Sequence, residues 1–302
     1  METTSHALDQ NRNFGDHYEV GVITNVTHEH LDYHKTFDRY LATKAKLIKQ
    51  SKLGLLNKDH ESYEALSKVV KSAKSKVELK TYGLKNIADY NVDLKKTLKL
   101  EIPEYNNYNY LAAYSVCVEL GIPKQTILKA LNSYKLPLGR REIVYDERFM
   151  IVVDFAHTPN SLKQILSDLK ERVDVRKGRL IHVFGAAGLR DAQKRPMMGV
   201  ESAKYADVSI VTEEDYRSEA VEVISKEIIS GMKNAESRIK DGTVMMIENR
   251  QKAINKAVAL AQKGDIIVCT GKAHEKSLNR NGKEEPWDEF AAIRTALNLR
   301  NP

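Results

Sequence analysis

The segment FMIVVDFAHTPNSLKQILSDLKERV, residues 149–173, switches from one hydrophobic pattern to another across a short polar turn. Residues 149–156 begin with a continuous apolar run, which predicts a buried strand. Residues 161–173 place apolar side chains at helical spacing, which predicts an amphipathic helix. A strand, a polar turn and a helix in this order form the repeating unit of an α/β fold.

The same unit recurs through the rest of the second half of the chain. Val- and Ile-rich segments predict further strands at 179–186, 207–212, 244–249 and 265–271. We expect the last of these to be the final strand. Amphipathic segments predict helices at 195–206, 220–232 and 250–263. Such alternation indicates a mainly parallel sheet with helices on both faces. Ligands bind these sheets at the carboxyl ends of the strands, where the chain has DFAHTP, FGAAGLRD, TEEDYR and TGKAHE.

The first half of the chain also alternates between strand and helix patterns. Strands are predicted at 20–25, 53–59 and 77–83, and helices at 36–51, 62–74, 109–121 and, with Pro123 near its start, 122–135. The segment KLPLGRRE, residues 135–142, contains proline and glycine and is predicted to separate two domains, 1–138 and 139–302. The sequence therefore predicts an α/β protein with two domains.

Composition narrows the class of protein. The 302 residues are 42% hydrophobic and 29% charged with a net charge of +7, values typical of a folded globular protein. Basic and acidic residues are interleaved, and no nucleic-acid-binding motif is present, which disfavours nucleic acid as a partner. No apolar run is long enough for a membrane helix, and the N-terminus does not resemble a signal peptide. Cys117 and Cys269 lie in apolar contexts, so we expect reduced thiols in the cytoplasm.

Residues 27–34, THEHLDYH, concentrate three histidines, one glutamate and one aspartate after a predicted strand. This composition suits a metal or phosphate site, or a polar loop whose histidines cap a helix. Together with Glu2 it favours oxygen ligation of Mg²⁺, an ion that takes one or two carboxylates plus substrate phosphates. Lys44, on the following helix, has the pattern of a surface residue when it is considered alone.

Residues 185–196, GAAGLRDAQKRP, place cations beside a glycine-rich turn. The turn is not a Walker A loop, since the pattern G-x-x-x-x-G-K-[ST] occurs nowhere in the 302 residues. Its backbone N–H groups and the side chains of Arg190, Lys194 and Arg195 nevertheless suit a carboxylate or a phosphate.

Two further strand-end segments carry charges of both signs. TEEDYRSE, residues 212–219, places Arg217 among acidic neighbours, which suits a zwitterionic amino acid or, alternatively, an exposed helix start. TGKAHE places Lys272, His274 and Glu275 at the end of a predicted strand. The joint placement of these charges at one edge of the sheet favours a binding site.

Taken together, these segments resemble the Mur ligases, and among them the UDP-N-acetylmuramoyl-tripeptide synthetases. Ten motifs of that family have counterparts here in the same order: METTSHAL, TNVTHEHLDYH, ATK, TYGLKNIADY, YNNYNYLAA, LGR, DFAHTPNSL, GAAGLRDAQKRPMM, EDYR and GKAHE. The match runs from residue 1 to about residue 295. The resemblance implies that 1–138 form part of a central ATP-binding domain. It also implies that 139–302 form a complete Rossmann-like C-terminal domain, which binds amino acid and nucleotide.

The resemblance implies an ATP-dependent ligase of peptidoglycan synthesis. ATP would phosphorylate the carboxylate of a UDP-N-acetylmuramoyl dipeptide, and the amine of a third amino acid would attack the acyl phosphate. Meso-diaminopimelate is the favoured third residue, with lysine or another diamino acid left open. ATP and Mg²⁺ are the implied cofactors.

Site residues are carried over position by position. Glu2 and His30 match Mg²⁺ ligands, and Lys44 matches a lysine whose carbamate helps to hold a second Mg²⁺. The residues with implied catalytic roles are Lys44, His30 and Asp154. The residues that match the nucleotide site are Asn106, Asn109, Arg140 and His157. The residues that match the sites for the substrate and the incoming amino acid are Ser5, Arg190, Asp215, Arg217, Gly271 and Glu275.

Three departures from the family pattern stand out. The family's DNPR is Glu214-Asp215-Tyr216-Arg217 here, which keeps the arginine but not the asparagine or the proline. GKGHE is GKAHE, which adds one methyl group. Met1 aligns with a methionine inside a family segment, so we expect the UDP-binding domain and the phosphate loop to lie outside this sequence, either upstream or on a separate chain.

Three hypotheses remain open. The first is a tripeptide synthetase whose 302 residues are inactive alone because they contain no phosphate loop. The second is a non-catalytic protein that binds an amino acid or nucleotide, or docks on a partner that supplies the loop. The third is a related amide ligase of the folylpolyglutamate synthetase type, which the HTP, KRP and HE motifs fit less well.

Overall fold

A computed structural model describes residues 1–27, 31–72 and 77–300. The chain divides into two compact units, Met1–Lys135 and Leu136–Pro302. Each unit is built on a parallel-rich sheet with helices, so the predicted α/β class is confirmed. In these described ranges no helix is both long and apolar enough to cross a membrane. The functional partition at 138/139 stays a prediction.

The first unit contains a parallel sheet of order β1-β2-β3. Its strands are β1 (Tyr18–Ile23), β2 (Ser51–Asn57) and β3 (Glu78–Tyr82). Its helices are α1 (Ser5–Asp9), α2 (Leu31–His34), α3 (Phe37–Lys49), α4 (Tyr63–Lys71), α5 (Leu94–Leu98), α6 (Glu104–Glu119) and α7 (Lys124–Ser133).

The central strand β2 is buried on both faces, as its apolar sequence predicts. Leu56 packs in one cluster with Ile48 of α3 and Leu66 of α4. Leu55, the next residue back, points the other way and packs in a second cluster with Leu111 of α6. Successive side chains of a strand alternate between faces, so helices cover both sides of this sheet.

The second unit contains a larger sheet of order β4-β5-β9-β6-β7-β8. The strands of the unit are β4 (Glu142–Asp146), β5 (Met150–Asp154), β6 (Leu180–Phe184), β7 (Val208–Val211), β8 (Val244–Met246), β9 (Ile266–Thr270), β10 (Ser277–Arg280) and β11 (Lys283–Pro286). Its helices are α8 (Pro159–Arg176), α9 (Lys194–Tyr205), α10 (Val221–Ser230), α11 (Ala235–Lys240), α12 (Arg250–Leu260) and α13 (Glu289–Arg300).

Two hydrophobic clusters sandwich this sheet. Ile266 and Val268 of β9 belong to the cluster formed with α8, α9 and α10. Ile267 and Cys269 belong to the opposite cluster, formed with α12 and α13. The continuous apolar run of β9 is therefore explained by burial on both faces.

The prediction that 265–271 is the last strand is wrong. The hairpin β10–β11 follows it, and its strands pair in antiparallel register. All four residues of β11 are exposed, so no apolar run marks it in the sequence. The edge strand β4, which pairs antiparallel with β5, was likewise not predicted, because its burial alternates irregularly around a register shift.

A carboxylate holds the loop that follows β3. Asp59 accepts hydrogen bonds from the backbone N–H groups of Leu84, Lys85 and Asn86 at 2.5, 2.8 and 2.8 Å, and from the Tyr108 hydroxyl at 2.8 Å. Burial raises the pKa of the Asp59 carboxyl, but these donors outweigh it and lower the pKa to about 2. The charged form of Asp59 therefore stabilises the first unit.

Replacing Asp59 by asparagine should lower the free energy of unfolding near neutral pH by about 1 kcal/mol, after allowance for solvent screening. The folded-state pKa lies below the usual 3.8, so the stabilisation is present above about pH 4. It is lost as the pH falls through about 2. Urea unfolding at a series of pH values measures the effect. Glu61→Gln, which removes an exposed carboxylate of the same unit, is the control, and an equal pH dependence in both variants would contradict the prediction.

The two units should differ in resistance to proteolysis. The first has a three-stranded sheet in which β1 pairs only with β2 among the described strands, whereas the second has six strands between two cores. A strand with an unpaired edge opens more readily than a central strand. Limited proteolysis of the full chain, followed by mass spectrometry, should show cleavage within 1–138 before cleavage within 139–302. Equal rates of cleavage would rule this out.

Candidate functional site

The carboxyl ends of four parallel strands form one edge of the larger sheet. Strands β5, β9, β6 and β7 are neighbours in that order and run parallel. The polar segments predicted to bind ligands follow these strands directly, after Asp154, Thr270, Phe184 and Val211. Parallel pairing therefore brings segments that are distant in sequence to one edge, where open α/β sheets bind ligands.

One buried guanidinium fixes two of these strand ends. Arg250, the first residue of α12, and Glu289, the first residue of α13, are both 0% exposed, and Nη2 lies 2.7 Å from Oε1. Arg250 also donates to the carbonyl oxygens of Thr270 at 2.7 Å and Glu213 at 3.3 Å. Its backbone N–H donates to the Glu213 carboxylate at 3.0 Å. The end of β9 and the loop after β7 are thus held by one side chain.

A buried lysine joins two of the residues predicted to bind the incoming amino acid. Lys272 is 1% exposed, and its Nζ lies 2.8 Å from Asp215 Oδ1 and 2.6 Å from Glu275 Oε2. Burial raises the pKa of Asp215, but the hydrogen bond from Lys272 and one from the Asn279 N–H outweigh it, and the pKa is lowered. Two carboxylates and an ammonium therefore form a compact charged group at the strand ends.

Arg217 ties this group to the glycine-rich turn. Its φ of 55° lies in the left-handed region, and its Nη1 donates to the carbonyl oxygens of Gly188 at 2.6 Å and Asp215 at 3.4 Å. A Cβ on Gly188 would lie 2.1 Å from the Tyr216 carbonyl oxygen, so only glycine allows the two loops to approach so closely. The turn at 185–190 and the loop at 213–217 are therefore held in direct contact.

Gly271 leaves room for a buried carboxyl group. The residue has a φ of 101°, and a Cβ there would lie 2.5 Å from Glu214 Oε2. Glu214 is buried, and this oxygen has no hydrogen-bond partner within the described parts of the chain. Burial raises the pKa of Glu214, against the opposing charges of Lys194, His157 and nearby cations. Gly271 therefore contributes to the site through its missing side chain.

Asp154 connects the end of β5 to the start of the second unit. Its Oδ2 accepts the backbone N–H of Arg141 at 2.7 Å, and its Oδ1 accepts the N–H of Ala156 at 2.8 Å. Burial raises the pKa of this carboxyl despite both donors. Arg141 has a φ of 50°, and its Nε lies 2.7 Å from Asp168. Asp154 thus fixes the backbone immediately after Arg140.

Phe155 gathers the predicted nucleotide-facing side chains of this unit. The guanidinium carbon of Arg140 lies 4.9 Å from the centre of the Phe155 ring, and the His157 and His274 rings also lie 4.9 Å from it. The His157 Nδ1 is 2.9 Å from the Phe155 carbonyl oxygen. Helix α8 begins beside this cluster, with Thr158 as its cap. A helix N-terminus and a nearby guanidinium suit an anionic ligand.

Within residues 136–300, no hydrogen bond or ion pair joins Arg190 to this group. Its side chain is exposed on the turn that follows β6. The neighbouring Arg195 is instead 1% exposed and pairs with Glu219 and Glu227 at 2.6 and 2.7 Å. The three cations predicted as one feature therefore divide, since Arg190 is exposed whereas Arg195 and Lys194, which donates to the His157 carbonyl oxygen at 2.9 Å, are buried.

In the first unit, Ser5 and Lys44 lie at two ends of a chain of contacts. Ser5 is 2% exposed, and its Oγ is 3.0 Å from His34 Nε2. The His34 ring stacks on Tyr40 with centroids 5.1 Å apart, and the Lys44 Nζ lies 6.0 Å from the centre of the Tyr40 ring. Ser5, predicted to bind substrate, thus orients a buried histidine of the THEHLDYH segment.

The predicted metal site is only partly described. Glu2 is exposed, and His30 lies outside the described residues. Among residues 1–27, 31–72 and 77–300, no group of three or more His, Cys, Asp or Glu side chains is placed to hold a metal ion. Of the predicted ligands, the described part of the chain places the Glu2 carboxylate at an exposed position and the Lys44 Nζ 6.0 Å from the centre of the Tyr40 ring.

The two asparagines predicted near the nucleotide lie on one face of α6. Asn109 Nδ2 donates to Asn106 Oδ1 at 3.1 Å. Asn106 is buried and Asn109 is exposed, so the inner amide orients the outer one. This contact follows from their spacing of three residues on a helix.

Several residues of the site carry no role predicted from the sequence. Lys272 was noted at a strand end, but nothing in the sequence shows that it bridges two carboxylates. Arg250 opens a charged helix and has the pattern of a surface residue. The pair of Glu213 and Arg280 joins segments 67 residues apart, and no motif marks it.

Comparison with known proteins matches the two halves of the chain to two domains of one family. The family described as "Mur ligase middle domain" matches residues 1–117, and "Mur ligase, glutamate ligase domain" matches residues 139–273. The UDP-N-acetylmuramoyl-L-alanyl-D-glutamate--2,6-diaminopimelate ligase 1 of Clostridium acetobutylicum is 36% identical over 310 residues. That match covers 96% of this chain and 61% of the ligase, so the chain spans about three fifths of its length.

Solved structures agree in fold. A structure of a UDP-N-acetylmuramoyl-L-alanyl-D-glutamate--2,6-diaminopimelate ligase is 28% identical with a TM-score of 0.55, over 100% of this chain and 64% of that one. Folylpolyglutamate synthase of Mycobacterium tuberculosis, complexed with ADP, is 17% identical with a TM-score of 0.63, over 94% and 64% of the two chains. The second likeness shows a shared fold alone.

Replacing Lys272 by glutamine should raise the pKa of Asp215, because the ammonium is the strongest stabiliser of its charged form. The variant should also lose stability by about 3 kcal/mol, since two carboxylates lose a buried partner. Carboxyl NMR titration measures the pKa and urea unfolding the stability.

The matched control is Lys276→Gln, which removes an exposed lysine that pairs with Asp288 at 2.9 Å. This variant should leave both the Asp215 pKa and the stability nearly unchanged. An unaltered Asp215 titration in the Lys272 variant would contradict the assignment.

Proposed function

We propose that this chain, which belongs to the Mur ligase family through its middle and C-terminal domains, adds a diamino acid to a UDP-N-acetylmuramoyl dipeptide. The reaction is an ATP-dependent peptide-bond ligation of peptidoglycan synthesis. The main support for this proposal is the charged group at the strand ends. In this group Lys272 pairs with Asp215 and Glu275, and Arg217 lies beside them.

The chemistry has two steps. An oxygen of the dipeptide carboxylate attacks the γ-phosphorus of ATP, and ADP leaves, which produces an acyl phosphate. The amine nitrogen of the incoming amino acid then attacks the carbonyl carbon, and inorganic phosphate leaves as the amide forms. The amine must arrive without its proton, so the site has to bind the amino acid and accept a proton from its ammonium.

The charged group suits an amino acid with groups of both signs. Asp215 contacts Lys272 through Oδ1, and Glu275 contacts it through Oε2. A carboxylate has two acceptor oxygens, so each side chain keeps acceptor capacity for an ammonium. Arg217 is the cation that suits a carboxylate, because guanidinium binds carboxylates in a planar fork. The relatives are named for 2,6-diaminopimelate, which has two ammonium and two carboxylate groups. We therefore propose meso-diaminopimelate as the substrate, ahead of lysine.

We assign the nucleotide to residues in both units, taken separately. In the first unit the orienting pair Asn106 and Asn109 offers amide groups to a base. In the second unit Asp154 ends β5, and Arg140 and His157 lie against the Phe155 ring just before α8, where the guanidinium offers positive charge to a phosphate. These roles rest on the family resemblance and on the placement of the side chains.

Mg²⁺ is proposed as the metal. Glu2 fits because a carboxylate is the ligand that Mg²⁺ prefers, and Lys44 fits only as a carbamate, which converts its amine into an oxygen donor. His30 completes the set proposed from the resemblance. When bound, the ion would neutralise charge on the phosphate groups of ATP.

The phosphate loop has to come from outside these 302 residues, which contain no G-x-x-x-x-G-K-[ST] sequence. We propose that an upstream segment or a separate chain supplies it. Such a loop provides the N–H cradle and the lysine that bind the β- and γ-phosphates. The cytoplasm is the proposed compartment, since the two cysteines form no disulfide and the substrates are nucleotides.

A second candidate function is non-catalytic binding, and the missing phosphate-loop sequence is the observation that favours it. The second unit would then bind a diamino acid without ATP hydrolysis. Calorimetry of the chain with meso-diaminopimelate and with ATP distinguishes the two functions. Amino-acid binding with no hydrolysis under any condition favours the second candidate, and binding of neither ligand counts against it.

In the presence of the phosphate-loop segment, Lys44→Ala should reduce formation of the UDP-tripeptide roughly 100-fold, the scale of losing one charge-stabilising group. Mass spectrometry of the product measures the rate, and intact-protein mass spectrometry shows whether CO₂ is bound to Lys44. Lys49→Ala, at an exposed position of the same helix, is the control and should keep full activity. A Lys44 variant as active as wild type would refute the assigned role.

A further inference from the structure

The hairpin β10–β11 packs against the loop that carries Asp215 and Arg217. The hairpin spans Ser277–Pro286 and follows the GKAHE segment directly. Its strand β11 is exposed throughout, and Leu278 is a fully buried apolar residue of β10. A short, mostly polar hairpin of this kind is not stable alone, so its position depends on the contacts it makes.

The backbone of one hairpin residue contacts both Asp215 and Arg217 in the loop at 213–217, here called the recognition loop. The Asn279 N–H donates to Asp215 Oδ1 at 2.9 Å, and the Asn279 carbonyl oxygen accepts the Arg217 N–H at 3.0 Å. The side-chain amide of Asn281 donates to the Tyr216 hydroxyl at 3.1 Å. The hairpin therefore orients the Asp215 carboxylate together with Lys272, and it supports the left-handed backbone of Arg217.

The hairpin is in turn anchored by a bidentate ion pair. Arg280 donates through Nε to Glu213 Oε2 at 2.8 Å and through Nη2 to Glu213 Oε1 at 2.6 Å. Glu213 is 5% exposed, so water competes little for this pair. The third contact of Arg280, from Nη1 to Glu285 at 2.8 Å, is to a side chain that is 48% exposed.

We propose that Arg280 is a positioning residue for recognition of the incoming amino acid. By docking the hairpin on Glu213, it fixes the relative placement of the Asp215 carboxylate and the Arg217 guanidinium. This inference rests on the proposed function, because it takes the 213–217 loop as the amino-acid site. It adds the ion pair of Glu213 and Arg280, of which Arg280 lies outside the strand-end segments predicted to bind ligands.

The pair also bears on selectivity between diamino acids. A diamino acid with a distal carboxylate needs an acceptor for its ammonium and a donor for its carboxylate at a fixed separation. That separation is set by Asp215 and Arg217, and the hairpin holds both. Loss of the anchor should therefore weaken binding of meso-diaminopimelate more than binding of lysine, which lacks the second carboxylate.

Amide hydrogen exchange of the full chain tests the positioning directly. In Arg280→Gln, exchange at the Arg217 and Asn279 amides should accelerate at least about tenfold, because both hydrogen bonds depend on the hairpin. The Val268 amide in β9 should exchange as in wild type, which separates a local loss from general instability. Glu285→Gln removes the exposed contact of the same arginine and should change none of these amides. Unaltered exchange at Arg217 and Asn279 in Arg280→Gln would overturn the proposal.

Calorimetry with meso-diaminopimelate and with lysine tests the consequence for binding. Arg280→Gln should weaken binding of diaminopimelate about tenfold, Arg280→Lys should restore part of it, and Glu285→Gln should bind as wild type. Equal affinity of wild type and Arg280→Gln for diaminopimelate would overturn the proposal. If wild type binds no diamino acid, the proposed function fails, and hydrogen exchange still decides whether Arg280 positions the loop.

Discussion

The buried pair of Arg250 and Glu289 is the constraint on which the candidate site depends. Both side chains are 0% exposed, and removal of one partner would leave an uncompensated charge at a cost of about 3–5 kcal/mol. A well-packed apolar pair could stabilise the unit as well, so the value of this pair lies in its geometry. Its guanidinium also binds carbonyl groups at Thr270 and Glu213, where two candidate loops begin. The pair thereby holds the first residues of α12 and α13 against these two loops.

Much of the fold could be predicted because its strands are buried on both faces. The apolar runs of β5 and β9 leave no other place for these residues than the centre of a parallel sheet. The hairpin β10–β11 could not be predicted in this way, since its residues are largely polar and its position is set by contacts with a distant loop. Arg250 was missed for a related reason: a charged residue at a helix start is nearly always exposed, and burial here depends on Glu289.

The site was predictable in its location but not in its pairings. The edge follows from parallel topology, whereas the bridge from Lys272 to Asp215 joins residues 57 positions apart. Ala273, by contrast, is a position that the sequence alone marks as unusual. The resembled family has glycine there, and the φ of 41° at Ala273 is a left-handed conformation that costs an L-residue roughly 1 kcal/mol. The substitution therefore keeps the glycine-like backbone and adds strain. The Ala273 methyl group also lies close to Gly139, since a Cβ added to Gly139 would be 2.7 Å from it.

The contact of Asn279 with the recognition loop is made by peptide groups and not by its side chain. Every residue except proline has the same N–H and carbonyl group, so this contact does not depend on the asparagine side chain, which donates instead to Glu284 at 2.6 Å. A contact made by peptide groups imposes no side-chain preference of its own at the position that makes it. A binding loop that is positioned by peptide groups can therefore keep its geometry while the side chains of the segment that positions it change.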